Sequence, residues 1–166
     1  MGNWYLLYCK RGQVFRAIEN LERQNVACLA PTAKIEKMVR GKRTTVTEPL
    51  FPNYLFVNFD PEVIHTTTIN STRGVNHFIR FGMLPAIVPQ PVIDELVNVT
   101  EQEFIAPEIP VSGDTVLITE GIFKGLQAIY KEPDGEKRSI LLVNILNTEA
   151  TKVLDNKQFI KSDLSN

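Results

Sequence analysis

Hydrophobic alternation predicts a strand over residues 49–60, with Leu55, Val57 and Phe59 on one face and Tyr54 and Phe56 on the other. A sheet half open to water would alternate apolar with polar residues, but this strand is apolar on both faces. One face can complete the core of its own domain; the other requires a second cover. Residues 3–9 predict another aromatic and apolar strand. Between the two, Val14, Ala17, Ile18 and Leu21 recur at i, i+3, i+4 and i+7, which predicts a helix over 13–24. Its opposite side collects Arg16, Asn20, Arg23 and Gln24 into a donor-rich stripe, with Lys10 and Arg11 at its entrance. A basic, threonine-rich hairpin is expected over 37–47, with Gly41 at a mobile tip. A short helix over 62–70, a turn at Ser71–Gly74, a strand over 75–81 and a helix over 91–99 follow; Val92, Ile93, Leu96 and Val97 form the apolar face of the last.

Residues 101–112 hold three glutamates and two prolines with little periodicity, as expected of a linker. About a dozen flexible residues reach ~20 Å, enough for a small second domain to dock or swing free. From residue 113 the local signals conflict. Segments 115–119 and 139–145 resemble short strands of a small barrel, supported by Gly121, Gly125 and the Pro133-Asp134-Gly135 turn. The same region also carries Ile118, Ile122, Leu126 and Ile129 at helical spacing, then Leu141, Leu142, Ile145 and Leu146 as a second stripe. Joined by the Pro-Asp-Gly turn, those stripes would make a helical hairpin. Both readings stand, and such conflict between local signals is often found where function strains the fold.

Length allows one medium domain or two small ones, and charge separates them. Residues 1–43 carry nine basic and three acidic side chains, whereas those from Glu101 onward carry 7 basic and 11 acidic. The first part therefore suits a polyanion, and the two parts attract each other. Cys9 and Cys28 lack metal-ligand spacing and read as small buried side chains. No signal peptide or membrane-length apolar run is present, so a cytoplasmic location is expected. His65 beside Thr66 and Thr67 lacks an orienting acid and an oxyanion site in the nearby sequence, so no catalytic residue, metal or cofactor is expected.

Trp4–Lys10, Pro49–Asp60 and Thr72-Arg73-Gly74-Val75 together resemble the amino-terminal domain of the NusG family of transcription elongation factors. Gly113-Asp114 followed by Gly121-Ile122-Phe123-Lys124-Gly125 is similar to the KOW motif of its carboxy-terminal domain. Within the family, Tyr8–Gly12, His65-Thr66-Thr67 and the leucine-rich second domain resemble the specialised RfaH branch. The resemblance implies an α+β chain. Residues 1–100 would form an antiparallel sheet flanked by helices, 101–112 a linker, and 113–166 a KOW-type domain. In that branch the last domain is an α-helical hairpin when docked and a β-barrel when released.

Carried over by position, the polymerase clamp-helix surface would be Tyr8, Phe51, Tyr54 and Phe56, and His65, Thr66 and Thr67 would meet the gate loop. Lys10, Arg16, Asn20, Arg23, Gln24 and the turn Thr72, Arg73, Gly74, Val75 would bind a hairpin in the exposed non-template DNA strand. Where the branch has histidine, this chain has Asn20, which offers a donor and an acceptor but no aromatic stacking. Glu48 and Arg138 would pair across the domains, with Ile93, Leu96, Leu126 and Leu142 in the apolar contact. Burying the four aromatic residues is worth about 6–12 kcal/mol gross, while a surface ion pair adds only ~0–1 kcal/mol. A released barrel would contact a small-subunit ribosomal protein around Ile145 and Leu146. A monomeric, autoinhibited, operon-specific elongation and antitermination factor is the function implied. The alternatives are a general NusG-type factor with independent domains and a KOW-type ribosome-assembly adaptor.

Overall fold

In the computed structural model, residues 2–101 and 124–164 are described. The central strand is β1 (Asn3–Cys9). On one edge it pairs antiparallel with β5 (Tyr54–Phe59) from Asn3↔Phe59 to Tyr8↔Tyr54. Beyond β5 lies β2 (Ala27–Leu29). The other edge of β1 is shared by two short strands: β6 (Val75–Phe78) takes its end at Leu7–Cys9, and β9 (Ile87–Val88) its start at Trp4 and Tyr5. A register shift between Tyr8 and Cys9 interrupts the pairing with β6.

The sheet is covered on both sides, as the two-faced strand requires. Leu55, Val57 and Phe59 pack with Tyr5, Leu7 and Cys9 against helix α1 (Val14–Glu22), through Ala17 and Leu21, and against α2 (Thr66–Asn70), through Ile69. Phe56 and Leu6 point the other way, into a second core with Leu50 and Phe51. Helix α3 (Gln90–Glu101) supplies Val92, Ile93 and Leu96 to that core. The rest of its cover comes from the carboxy-terminal part. Leu126, Ile129 and Tyr130 belong to a helix over residues 124–131 (α4), and Leu142 and Leu146 to α5 (Gly135–Leu164).

The helical reading of the second domain therefore holds among the described residues, and 139–145 is not a strand but part of α5. Pro133 ends α4, and Asp134 opens α5 by accepting hydrogen bonds from the backbone N–H groups of Glu136 (2.9 Å) and Lys137 (3.4 Å). Segment 115–119, the linker from residue 102 and most of the KOW-like motif lie outside the described residues. Gly125, at the end of that motif, lets the two helices approach: a Cβ there would stand 2.5 Å from Ile145 Cδ1.

Several boundaries differ from the sequence expectation. The strand over 49–60 begins only at Tyr54, because Leu50–Asn53 turn, with Asn53 in the left-handed region at φ 70°. The basic hairpin is longer than expected: β3 (Thr32–Val39) and β4 (Lys42–Pro49) pair along their whole length. Its two-residue tip, Arg40 (φ 52°) and Gly41 (φ 78°), has the positive φ pair of a tight type I′ turn. The strand over 75–81 is interrupted at Ile79, whose N–H turns to Leu6 O; β7 (Arg80–Phe81) then pairs with β8 (Leu84–Pro85).

Candidate functional site

The second core has a polar anchor. Arg138, on the first turn of α5, is fully buried, and its guanidinium makes four hydrogen bonds. Nε donates to Leu50 O (2.7 Å), Nη1 to Glu132 O (2.8 Å), and Nη2 to Glu48 Oε1 (2.7 Å) and Pro49 O (3.2 Å). The expected Glu48–Arg138 pair forms, but not as the surface pair weighed from sequence. Taking away one partner of a buried charge pair typically costs ~3–5 kcal/mol rather than a fraction of one. Glu48 has a second cation that sequence reasoning missed: Lys37 Nζ lies 2.8 Å from Oε2. Partial burial pushes the Glu48 carboxyl up, but its hydrogen bonds to Lys37 and Arg138 outweigh this and hold it below the ordinary glutamate value. Alternation along β3 carried the signal for Lys37, which follows Ala33 and Ile35 on the face turned inward.

Around this anchor the four aromatic residues split into two pairs. Phe51 and Phe56 are buried beneath the helical hairpin, edge to face at 6.1 Å between centroids. Tyr8 and Tyr54 stay half-exposed, edge to face at 5.2 Å, and His77 lies 5.5 Å from the Tyr8 ring. The hairpin thus covers half of the expected face. Burial raises the Tyr54 phenol, with the Tyr8 ring adding to it. Of the interdomain residues, Ile93, Leu96, Leu126 and Leu142 all lie in the second core. Leu146 is buried there too, and Ile145 packs half-buried at its edge.

On the opposite side of the sheet, the polar stripe of α1 meets the 72–75 turn. Gln24 Nε2 donates to Thr72 Oγ1 (3.1 Å) and to Asn20 O (3.1 Å), and Thr72 Oγ1 donates to Thr68 O (2.9 Å). Asn20 Nδ2 donates back to Arg16 O (2.9 Å). Arg23 is exposed and paired with Glu19 (2.7 Å), a partner on the same helix four residues earlier. The turn is pressed onto the start of α1. Gly74 sits at φ 97°, and a Cβ there would lie 2.7 Å from Ala17 N and 2.8 Å from Gln13 O. Its carbonyl accepts the Lys10 N–H (2.9 Å). Lys10, Arg16 and Arg73 are exposed, whereas Val75 is buried, so its side chain fixes the turn and adds nothing to the surface.

His65 caps α2. Its Nδ1 accepts the Thr67 N–H (3.1 Å) and lies 2.6 Å from Thr67 Oγ1, so the three-residue group is a preformed polar knob. Accepting that N–H leaves the ring proton on Nε2. Burial pushes the Cys9 thiol up to about 11; burial, Glu22 and Cys9 push Cys28 up to about 12, so neither is a ready thiolate. Among the described residues no three His, Cys, Asp or Glu side chains gather as metal ligands, and no helix is long and apolar enough to cross a membrane.

The sheet is covered by α1 and α2 on one face, with a donor-rich stripe on α1 and an aromatic opposite face. A family model described as transcription termination factor nusG matches residues 2–97. Curated relatives bear the name transcription termination/antitermination protein NusG. That of Thermus thermophilus is 26% identical over 96% of this chain and 98% of its own length. That of Helicobacter pylori is 25% identical over 93% and 100%. That of Deinococcus radiodurans is 28% identical over 76% of each. A solved structure titled "Domain interaction in Thermotoga maritima NusG" aligns with 68% of this chain and 65% of that one, at 19% identity and a TM-score of 0.41, too slight a likeness to weigh. The class is that of transcription termination and antitermination factors. More particularly, the chain belongs to the NusG family.

Proposed function

We propose that this chain is an autoinhibited, operon-specific elongation and antitermination factor of the RfaH type. The observation that carries the reading is the helical hairpin held over Phe51 and Phe56 by the buried Arg138. In this reading residues 1–100 bind polymerase and DNA, 101–112 link, and 113–166 switch. Phe51 and Phe56 form a socket that polymerase clamp helices share with Tyr8 and Tyr54, and the docked hairpin denies it to them. The His65–Thr67 knob reaches the gate loop. Lys10, Arg16, Arg23 and Arg73 supply phosphate affinity, while Asn20 and Gln24 address base edges in a non-template DNA hairpin and the buried Thr72 holds the turn against α1. DNA binding at a paused complex holds the chain beside the clamp, which then takes the vacated socket.

The released residues refold as a KOW barrel, and Ile145 and Leu146, sequestered in the closed arrangement, become a contact for a small-subunit ribosomal protein. No cofactor takes part, and the chain acts as a monomer. The test is polymerase binding with and without a paused, DNA-bearing complex. Strong binding only with the DNA supports autoinhibition. Equal binding to bare polymerase supports a general NusG-type factor, the reading that the names of the curated relatives favour.

A further inference from the structure

Glu48 stands between two cations that reach it from different parts of the chain. Its Oε1 accepts from Nη2 of Arg138 at 2.7 Å, and its Oε2 lies 2.8 Å from Nζ of Lys37. Lys37 and Glu48 belong to the same β3–β4 hairpin and share the face that carries Ala33, Ile35 and Val46; Glu48 stands opposite Ala33, and Lys37, nearer the tip, opposite Thr44. Their contact is therefore built into the first domain, whereas Arg138 arrives only with α5. Three of the four hydrogen bonds of Arg138 go to the carbonyls of Leu50, Pro49 and Glu132, so its place is fixed without Lys37. The side chains also differ in burial: that of Arg138 is 0% exposed and that of Lys37 33%. Lys37 lines an open cleft of about 610 Å³ whose other wall is Pro133, Asp134 and Gly135. The anions beside it are engaged elsewhere. Asp134 Oδ1 caps α5, Glu36 pairs with Arg43 at 3.6 Å, and among the described residues neither makes an ion pair with Lys37.

What Lys37 does to docking depends on which contacts each state keeps. The Lys37–Glu48 contact is available with α5 docked or away. The closeness of Lys37 to Arg138, two positive charges on one carboxylate, exists only in the docked state, and like charges at this separation repel even where water partly screens them. When Arg138 leaves, Glu48 keeps a cation, so opening does not strand the unpaired charge that makes breaking a buried pair so unfavourable. We infer that Lys37 is the release partner of Glu48, a positioning residue that weakens the closed state and lets the interdomain pair open and re-form. The inference rests on the autoinhibited reading above and adds a sign to it. Of two cations bonded to one carboxylate, Arg138 holds the helical hairpin down and Lys37 sets how readily it lifts.

The experiment follows amide hydrogen exchange of α5 in the full chain, which reads the open fraction. Lys37→Met keeps most of the stem without the charge, and Lys37→Gln removes the charge but leaves a polar end. Each should slow α5 exchange about three- to tenfold, with circular dichroism unchanged. Lys37→Arg, which restores the charge, should exchange as the wild type does. The Glu48 carboxyl, titrated by carbon NMR, gives a second readout. In Arg138→Ala it should stay below the ordinary 4.5, held there by Lys37, and it should return to that value when Lys37→Met is added. Exchange that is unchanged or faster in both Lys37→Met and Lys37→Gln overturns the inference and leaves autoinhibition standing. So does a Glu48 titration in Arg138→Ala that Lys37→Met does not move. A wild-type chain with no protection of α5 has no closed state, and the autoinhibited reading then falls together with the inference.

Discussion

Arg138→Ala is the sharpest perturbation of the closed arrangement. It deletes four hydrogen bonds at once and leaves the carbonyls of Leu50, Pro49 and Glu132 without the guanidinium, two of them at the hairpin base. Glu48 keeps Lys37 and so does not become an isolated charge. The alanine also leaves a void where a fully buried arginine stood. The lost hydrogen bonds to the three carbonyls and the void, rather than a stranded charge, set the loss at about 3–5 kcal/mol, so docking should weaken roughly 10²–10⁴-fold. Glu48→Gln is the graded comparison: it retains a hydrogen-bond acceptor, removes the charge, and should cost about 1–3 kcal/mol. Circular dichroism at 222 nm and hydrogen exchange of α5 report hairpin docking, and polymerase binding without DNA reports the uncovered face. Arg138→Ala should lose α5 protection and gain polymerase affinity, with Glu48→Gln between it and the wild type. Full helical signal and full α5 protection in Arg138→Ala would refute the anchor.

Other outcomes follow from the same geometry. Lys37 and Arg138 together depress the Glu48 carboxyl, and the share owed to the docked Arg138 is complete above the ordinary value of 4.5 and is lost as pH falls through the lowered one; α5 protection should decline on acidification. Glu95 on α3, raised by burial, works in the opposite sense, so Glu95→Gln should steepen that decline and Glu48→Gln flatten it, as read by hydrogen exchange against pH. Gly74→Ala combines a positive φ with a Cβ pressed on Ala17 N; it should cost about 1–3 kcal/mol in thermal unfolding and weaken DNA binding, and an unchanged melting temperature contradicts the close approach. Gly125→Leu drives a side chain into Ile145 and should open the hairpin by about 1–3 kcal/mol, seen as lost 222 nm signal; a retained signal would mean the helices do not meet there.

Most of the scaffold was readable because it rests on periodicity. Both faces of β5, the core face of α1 and the apolar stripe of α3 appear where alternation and 3.6-residue spacing place them. The second domain was readable only as a conflict: Leu126, Ile129, Leu142 and Leu146 fit a helix or a barrel, and tertiary burial against Phe51 and Phe56 selects the helix. Burial of Arg138 was hidden, since its partners are mainly backbone carbonyls that no side-chain pattern encodes. Tyr8 and Tyr54 defeated the expectation of a fully covered face for a related reason. Alternation assigns a side to a residue, but the width of the element lying over that side is a property of the docked helices. Gln24 was legible as a donor on the stripe, yet its bond to Thr72, 48 residues away, needed the turn to be folded against the helix.

The central claim is that residues of the second domain cover the second face of the sheet as helices. A heteronuclear NMR spectrum of the full chain, with methyl-to-aromatic nuclear Overhauser effects, tests it most directly. The account predicts helical chemical shifts over 135–150 and contacts from the methyls of Leu142 or Leu146 to the rings of Phe51 or Phe56. Strand shifts over 139–145, with none of those contacts, would contradict it.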